Sequence, residues 1–312
     1  MKLSLVVPCF NEENNVFPFY RAVEETFVPL GIEHEIIFVN DGSSDGTPEK
    51  LKALYRQAQS PVTVISFSRN FGKEAAMFAG LEHVKGDYVC LIDADLQQRP
   101  EVVAEMVRIL DEEPDLDCVA AFQDQRSESA ALRFFKDGFY KLINSVSTTR
   151  FTQGASDFRT FRRKVAESVI SLGEYHRFSK GLLSWVGYNV RYIPYKAEER
   201  ASGESKWSFK KLFKYAVEGI MAFSVAPLLL PLIIGLVMIC ASVLCFIGRA
   251  IIAALTYSDF GATQAVIITL LLCTGILLSC LGIVAMYLAK IYEQSKDRPI
   301  YIAKEILTPE DK

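Results

Sequence analysis

The chain has 312 residues and a formal net charge of −3. This length allows one large domain or two small ones, and the slightly negative charge argues against nucleic acid as the main partner. Charged residues are unevenly distributed: residues 1 to about 214 mix charged and apolar side chains, whereas Ile220–Gly248 and Phe260–Ala289 contain no charged side chain.

Short apolar runs alternate with helical patterns in the first part of the chain. This alternation predicts βαβ units and an α/β fold with a mostly parallel sheet. Ligands in such folds bind beyond the carboxyl ends of the strands. The predicted strands are 3–8, 35–40, 62–67, 87–93 and 117–122, and the predicted helices are 14–27, 48–57, 73–83 and 100–110.

The loop after the second predicted strand reads VNDGSSDGT (39–47). Gly42 and Gly46 permit a tight turn, and Ser44 or Asp45 can cap the helix that follows. Pro48 suits the first turn of that helix. The segment could therefore be a helix-capping loop alone, or it could also bind a ligand.

The fourth predicted strand ends in CLIDADLQ, which places Asp93, Asp95 and Gln97 at every second position. Carboxylate and amide oxygens are ligands that Mg²⁺ and Mn²⁺ accept when substrate phosphates complete the coordination. A solvated acidic pair at a strand end is the alternative. The glycine patterns of dinucleotide-binding and P-loop folds do not occur in the chain, so those functions lose their main support.

Each of the two uncharged runs exceeds the roughly 20 residues that a helix needs to cross a bilayer. We predict a two-helix transmembrane hairpin over 220–289, preceded by an amphipathic segment over 206–219. A pair of buried core helices is the alternative. Lysine and arginine on both flanks place both ends in the cytosol, and no signal peptide precedes residues 1–205. The prediction is a multi-pass protein of the cytoplasmic membrane, with a cytosolic tail over 290–312.

Three further groups of residues were considered. The seven cysteines show no metal-binding spacing and are interpreted as packing residues. Arg69 and Lys73, at the start of the third predicted helix, could contact a phosphate or only cap the helix. Small residues in the uncharged runs, such as Gly235 and Gly282, could support a homo-oligomer.

Six motifs follow one another along the chain: VVPCFNEENN (6–15), VNDGSSDGT (39–47), SRNFGKEAAMFAGL (68–81), GDYVCLIDADLQ (86–97), QGASDFRTFRRKV (153–165) and ERASGESKW (199–207). In this order and spacing they resemble the polyprenyl-phosphate glycosyltransferases of glycosyltransferase family 2, the group that includes undecaprenyl-phosphate glucosyltransferases and dolichol-phosphate mannose synthases. The resemblance covers essentially the whole chain and implies a GT-A fold, Rossmann-like with a mostly parallel sheet, followed by two transmembrane helices.

The resemblance also implies roles for individual residues. Asp157 would lie near the sugar and the acceptor and would act with Asp95 and Arg200 in catalysis. Asp93, Asp95 and Gln97 would serve a divalent cation and the donor diphosphate. The donor nucleotide sugar would be bound by Pro8, Asn11, Glu12, Asp41 and Asp93, and the acceptor phosphate by Arg200, Ser205 and Lys206.

The expected reaction is inverting transfer of a sugar, glucose from UDP-glucose by the branch resemblance, onto undecaprenyl phosphate for cell-envelope glycan modification. The same reaction with UDP-N-acetylglucosamine, or with GDP-mannose and dolichol phosphate, is an alternative. A non-catalytic scaffold for a lipid carrier is an alternative of a different class.

Overall fold

The structure is a computed structural model that describes residues 2–123, 155–175, 177–195 and 262–312, with a few isolated positions between 237 and 251. The chain divides into two compact units. One comprises Met1–Ser145, Thr149–Tyr215 and Arg298–Lys312, and the other comprises Val146–Thr148 and Ala216–Asp297.

Strands and helices alternate strictly in the first part of the chain, as the hydrophobic pattern predicts. The strands are rich in Val, Ile and Phe, and most of their residues are buried. The elements are β1 (Lys2–Cys9), α1 (Val16–Phe27), β2 (Glu33–Asn40), α2 (Thr47–Gln57), β3 (Val62–Phe67), α3 (Lys73–Glu82), β4 (Tyr88–Leu91), α4 (Pro100–Glu112) and β5 (Cys118–Gln123).

The remaining elements were not predicted from the sequence, except that the uncharged run Phe260–Ala289 was predicted to be a helix. They are β6 (Ala155–Arg162), α5 (Arg163–Ser171), α6 (Ser179–Trp185), β7 (Val190–Tyr195), α7 (Ala262–Ser295), β8 (Ala303–Leu307) and a 3-10 helix at Pro309–Asp311.

The strands form one eight-stranded sheet in the order β7-β5-β6-β4-β1-β2-β3-β8. The central strands β4, β1, β2 and β3 are mutually parallel, and β5 pairs with β7 in parallel. Strand β6 runs antiparallel to both β4 and β5, and β8 runs antiparallel to β3. The sheet is therefore mixed but mostly parallel, which agrees with a GT-A-like α/β fold.

Helices cover both faces of the sheet. Successive side chains of a strand point to opposite faces, so both sets of side chains are buried. In β1, Leu5 and Val7 belong to one hydrophobic cluster with α1, α2 and α4, whereas Val6 belongs to a second cluster with α3 and α5. Gly80 of α3 lies so close to Val6 that a Cβ on it would come within 2.3 Å of Val6 Cγ1. The glycine thus lets α3 pack tightly on the centre of the sheet.

The last residues of the chain return to the sheet. Strand β8 pairs with β3 from Val64–Leu307 to Phe67–Ala303, so it covers what would otherwise be an edge strand. The hydroxyl of Tyr55 donates to the carbonyl of Thr308 at 2.7 Å, and Tyr301 stacks on Phe67. The sequence analysis treated 290–312 only as a tail, and nothing in its local pattern indicated a strand of the sheet.

The membrane prediction is only partly covered by the structure. The amphipathic segment 206–219 lies outside the described residues, as does nearly all of the first uncharged run. Most of the second uncharged run lies in α7. Among the residues that the structure describes, no helix is long and apolar enough to cross a membrane.

Candidate active site

The candidate site lies at one edge of the sheet, beyond the carboxyl ends of β1, β2 and β4. These strands are parallel and adjacent, so their following loops meet at the same edge. The loops are the three segments that the sequence analysis singled out, beginning at Phe10, Asp41 and Ile92. Prediction of a site at this edge therefore required only the correct strand assignment.

The loops after β1 and β2 bind each other through side chain to backbone hydrogen bonds. The backbone N–H of Asn11 donates to Ser43 Oγ at 3.0 Å, and that of Ser44 donates to Asn11 Oδ1 at 2.9 Å. Asn11 adopts a left-handed backbone with φ of 57°. The backbone N–H of Glu12 donates to Thr47 Oγ1 at 2.8 Å, at the start of α2. The two loops therefore form one preorganised wall of the site.

Asp41 is 3% exposed and anchors the start of α3. Its Oδ1 accepts the backbone N–H of Phe71 at 2.6 Å, and its Oδ2 accepts that of Gly72 at 3.0 Å. Burial raises the pKa of Asp41, although these hydrogen bonds and the charge of Arg69 oppose the rise. Gly42 beside it is required, since φ is +63° and a Cβ would lie 2.4 Å from the carbonyl carbon of Arg69.

The Asp93–Gln98 turn follows β4 directly. Leu96, near its centre, has a left-handed backbone with φ of 60°. This conformation is uncommon for a bulky residue, and where it occurs it is often at a functional site. Gln98 holds the turn: its Oε1 accepts the Asp93 N–H at 2.9 Å, and its Nε2 donates to Asp93 Oδ2 at 3.2 Å. The Asp95 carboxylate accepts the backbone N–H of Gln97 at 3.2 Å. Gln98 is 7% exposed, and the sequence had indicated no role for it beyond a departure from the family pattern at Gln98-Arg99-Pro100.

The structure brings Asp157 to Asp93, although the two are far apart in the sequence. Strand β6 pairs antiparallel with β4, with Leu91 opposite Arg159. The pairing ends two residues short of both acids, and the Lys73 ammonium contacts the two of them. The antiparallel strand was not predicted, so only the family resemblance had pointed to Asp157.

Lys73 lies between these two acids. Its Nζ is 2.6 Å from Asp93 Oδ1 and 3.7 Å from Asp157 Oδ2. Burial lowers the pKa of Lys73, but the charges of Asp93 and Asp157 outweigh burial and raise it above the ordinary value. The sequence suggested that Lys73 could contact a phosphate or cap the helix, and it did not indicate these ion pairs with Asp93 and Asp157.

Asp157 remains ionised in this environment. Burial raises its pKa, but the charges of Lys180, Lys73 and Arg159 outweigh burial and hold the pKa below its ordinary value. Among the described residues, the buried Oδ1 of Asp157 has no hydrogen-bond partner. A buried carboxylate oxygen without a donor is costly, so it is suited to accept a hydrogen bond from a bound substrate.

Glu74 links α3 to α6 next to this cluster. Its Oε2 accepts the backbone N–H of Ser179 at 2.8 Å and also the Ser179 hydroxyl. Burial raises the pKa of Glu74 to about 7, and the charge of Asp157 adds to the rise. The link holds Ser179, and with it Lys180, beside Asp157. Neither Glu74 nor Lys180 was singled out from the sequence, because their importance depends on this long-range contact.

The residues expected to bind the acceptor phosphate, Arg200, Ser205 and Lys206, lie outside the described residues. The part of the chain that the structure describes contains no group of three or more His, Cys, Asp or Glu side chains able to hold a metal ion. Asp93 and Asp95 with the Gln97 amide still fit a hard cation whose coordination is completed by substrate phosphates.

A mostly parallel sheet with carboxylates at the carboxyl ends of its central strands, and a lysine among them, agrees with the fold of the GT-A class of transferases. The comparison with known proteins agrees: residues 4–170 match the model of the family described as Glycosyl transferase family 2. The chain belongs to glycosyl transferase family 2, and it is a glycosyltransferase.

Relatives match over nearly the whole chain. A bactoprenol glucosyl transferase of Shigella phage SfV is 39% identical over 97% of this chain and 98% of its own. A prophage bactoprenol glucosyl transferase homolog of Escherichia coli K12 is 37% identical over 98% and 99%. Mannosyl-3-phosphoglycerate synthase from Rubrobacter xylanophilus has a TM-score of 0.50 at 16% identity, covering 71% of this chain and 72% of that one, which supports the fold alone.

Proposed function

We propose that this glycosyltransferase moves a sugar from a nucleotide sugar onto the phosphate of a polyprenyl lipid at the cytosolic face of a membrane. The observation that carries the proposal is similarity at 37–39% identity, over nearly the full length, to proteins described as bactoprenol glucosyl transferases. On the same basis the donor is UDP-glucose and the acceptor undecaprenyl phosphate. UDP-N-acetylglucosamine and GDP-mannose remain the alternative donors.

A phosphate acceptor changes what the side chains must do. A phosphate monoester has a second pKa of about 6 and is already mostly dianionic at neutral pH, so a strong general base is unnecessary. Asp157 fits this chemistry because it stays ionised and offers Oδ1 as an acceptor. Its proposed role is to orient a hydroxyl of the sugar or the acceptor, in line with the family resemblance.

The main obstacle is charge repulsion between the lipid phosphate and the donor diphosphate. Two unit charges about 5 Å apart repel by roughly 3 kcal/mol at an effective dielectric constant near 20. Lys73 and Lys180 beside Asp157 contribute positive charge on the sheet side. Arg200 and Lys206 are proposed to contribute it on the acceptor side. A divalent cation on Asp93, Asp95 and Gln97 would neutralise the donor diphosphate when bound.

The proposed reaction is a single displacement. An oxygen of the lipid phosphate forms a bond to the anomeric carbon, the bond from that carbon to the donor diphosphate breaks, and the nucleoside diphosphate leaves. The configuration at the anomeric carbon is inverted. No covalent adduct with a side chain forms, so a trapped sugar adduct on the protein would contradict this mechanism.

The proposed membrane attachment is the two-helix hairpin over 220–289. It is supported by the absence of charge in Ile220–Gly248 and Phe260–Ala289 and by the lysines on both flanks. Large apolar side chains are exposed along α7, among them Leu270, Leu277 and Leu281, each more than 60% exposed. Attachment of this kind would bring the site to the lipid phosphate at the bilayer surface.

The test is to incubate purified full-length protein with undecaprenyl phosphate, Mg²⁺ or Mn²⁺ and a panel of UDP- and GDP-sugars, and to identify the lipid product by mass. We expect a hexosyl product from UDP-glucose. Parallel reactions with EDTA, and with Asp93 and Asp95 both replaced by alanine, should give little product. An undiminished rate in the double variant would refute the proposed site, and product from another sugar would reassign the donor.

A further inference from the structure

Lys73 is the first residue of α3 and meets two acids at once. Its Nζ lies within 4 Å of both Asp93 and Asp157, at 2.6 Å and 3.7 Å. The side chains are 44% exposed for Lys73, 34% for Asp93 and 22% for Asp157, so the cluster borders solvent rather than forming a sealed core. A cation from solvent can therefore reach the Asp93 carboxylate.

The backbone around Lys73 is held on both sides. The N–H of Gly72 donates to the Asp41 carboxylate at 3.0 Å. On the other side, the Glu74 carboxylate is held by the backbone N–H of Ser179 at 2.8 Å. Because both neighbours are held by hydrogen bonds, the backbone of Lys73 is fixed at the start of α3. This restricts the positions that its ammonium can reach.

Both oxygens of Asp93 are engaged in this arrangement. Oδ1 contacts Lys73, and Oδ2 accepts the Gln98 amide at 3.2 Å. A divalent cation that binds Asp93 must therefore compete with an ammonium ion already paired with that carboxylate. Without Lys73, the carboxylates of Asp93 and Asp157, which both lie within 4 Å of its ammonium, would repel each other.

We propose that Lys73 is a positioning residue that acts as an internal counter-ion: it pairs with Asp93 and Asp157 in the unloaded site and competes with the divalent cation for Asp93. This inference rests on the proposed function, since it takes Asp93 as a ligand of that cation. A divalent cation that binds Asp93 would displace the Lys73 ammonium from that carboxylate. Because the same ammonium also contacts Asp157, cation binding would change the charge next to Asp157.

The experiment measures Mn²⁺ affinity by electron paramagnetic resonance on full-length protein in detergent, with UDP present to supply the diphosphate and without the acceptor lipid. Lys73→Met removes the competitor, and Lys73→Gln removes the charge while keeping a hydrogen-bond donor. Both should bind Mn²⁺ several-fold more tightly than the unmodified protein. Lys73→Arg keeps the charge and should stay close to the unmodified protein.

The matched control is Lys52→Met. Lys52 is 43% exposed and pairs with Glu305 at 2.7 Å, away from the site, so its loss should leave Mn²⁺ affinity unchanged. Thermal unfolding midpoints identify which variants are folded, and the Gln variant stands in if the Met variant is not. Unchanged or weaker Mn²⁺ binding in the folded neutral variants overturns the inference alone. No Mn²⁺ binding by the unmodified protein overturns the proposed cation site and the inference together.

Discussion

Glu74 should make the stability of this protein fall with rising pH, and Glu74→Gln should remove that contribution. Burial raises the pKa of this carboxyl to about 7. Since one pKa unit is worth about 1.4 kcal/mol, a rise from 4.5 to about 7 corresponds to about 3 kcal/mol of folding free energy. The hydrogen bonds from Ser179 favour the ionised form, and the pKa of about 7 already reflects their opposing effect.

The direction follows from where the proton is held. Below about pH 4.5 the Glu74 carboxyl is protonated in both the folded and the unfolded protein, so the protein keeps the full stability that this group can give it. Between pH 4.5 and about 7 the unfolded chain releases the proton while the folded protein keeps it, so stability falls as the pH rises. Above pH 7 the loss is complete.

The assay is the free energy of unfolding of the unmodified protein and of Glu74→Gln across about pH 5 to 8. The difference between the two cancels most contributions from other titrating groups. It should shift in favour of the variant by up to about 3 kcal/mol as the pH rises. Glu49→Gln, an exposed position on α2, should show no such shift. A difference independent of pH in the Glu74 variant would refute the reasoning.

Three further predictions concern the site and the sheet. Asp41→Ala leaves two backbone N–H groups at the start of α3 without an acceptor, so urea unfolding should show a loss of about 1–3 kcal/mol for each, and Asp41→Asn a smaller loss; equal stability of Asp41→Ala and the unmodified protein would be inconsistent with the anchor. Asp157→Asn should lower the transfer rate by up to about 100-fold through misorientation, and near-normal turnover would exclude even an orienting role. Truncation after Tyr301 removes β8 and exposes β3 as an edge, so the unfolding midpoint should fall and aggregation should rise; a truncated protein as stable as the full chain would show that the strand pairing contributes nothing.

Much of the fold could be predicted because it depends on local patterns. The β1 to β5 segments are apolar runs, each followed within three residues by Asn or Asp, and their predicted bounds agree with the structure to within a few residues. Asp41, Asp93 and Asp95 could be found for the same reason, since each follows a recognisable strand, whereas Asp157 was indicated only by the family resemblance. What escaped prediction were β6, β7 and β8, whose sequences mix charged and apolar residues and become strands only by pairing.

The site shows the same division. Sequence by itself determined the α/β class, the acids at the strand ends and the family, because hydrophobic periodicity and short motifs are encoded in contiguous residues. Only the tertiary structure put the Lys73 ammonium within 4 Å of both Asp93 and Asp157 and joined Glu74 to Ser179. Those contacts join residues tens of positions apart, and side-chain chemistry alone does not specify which of many possible partners an ion will meet. The register of β4 against β6 and the packing of α3 on the sheet decide it.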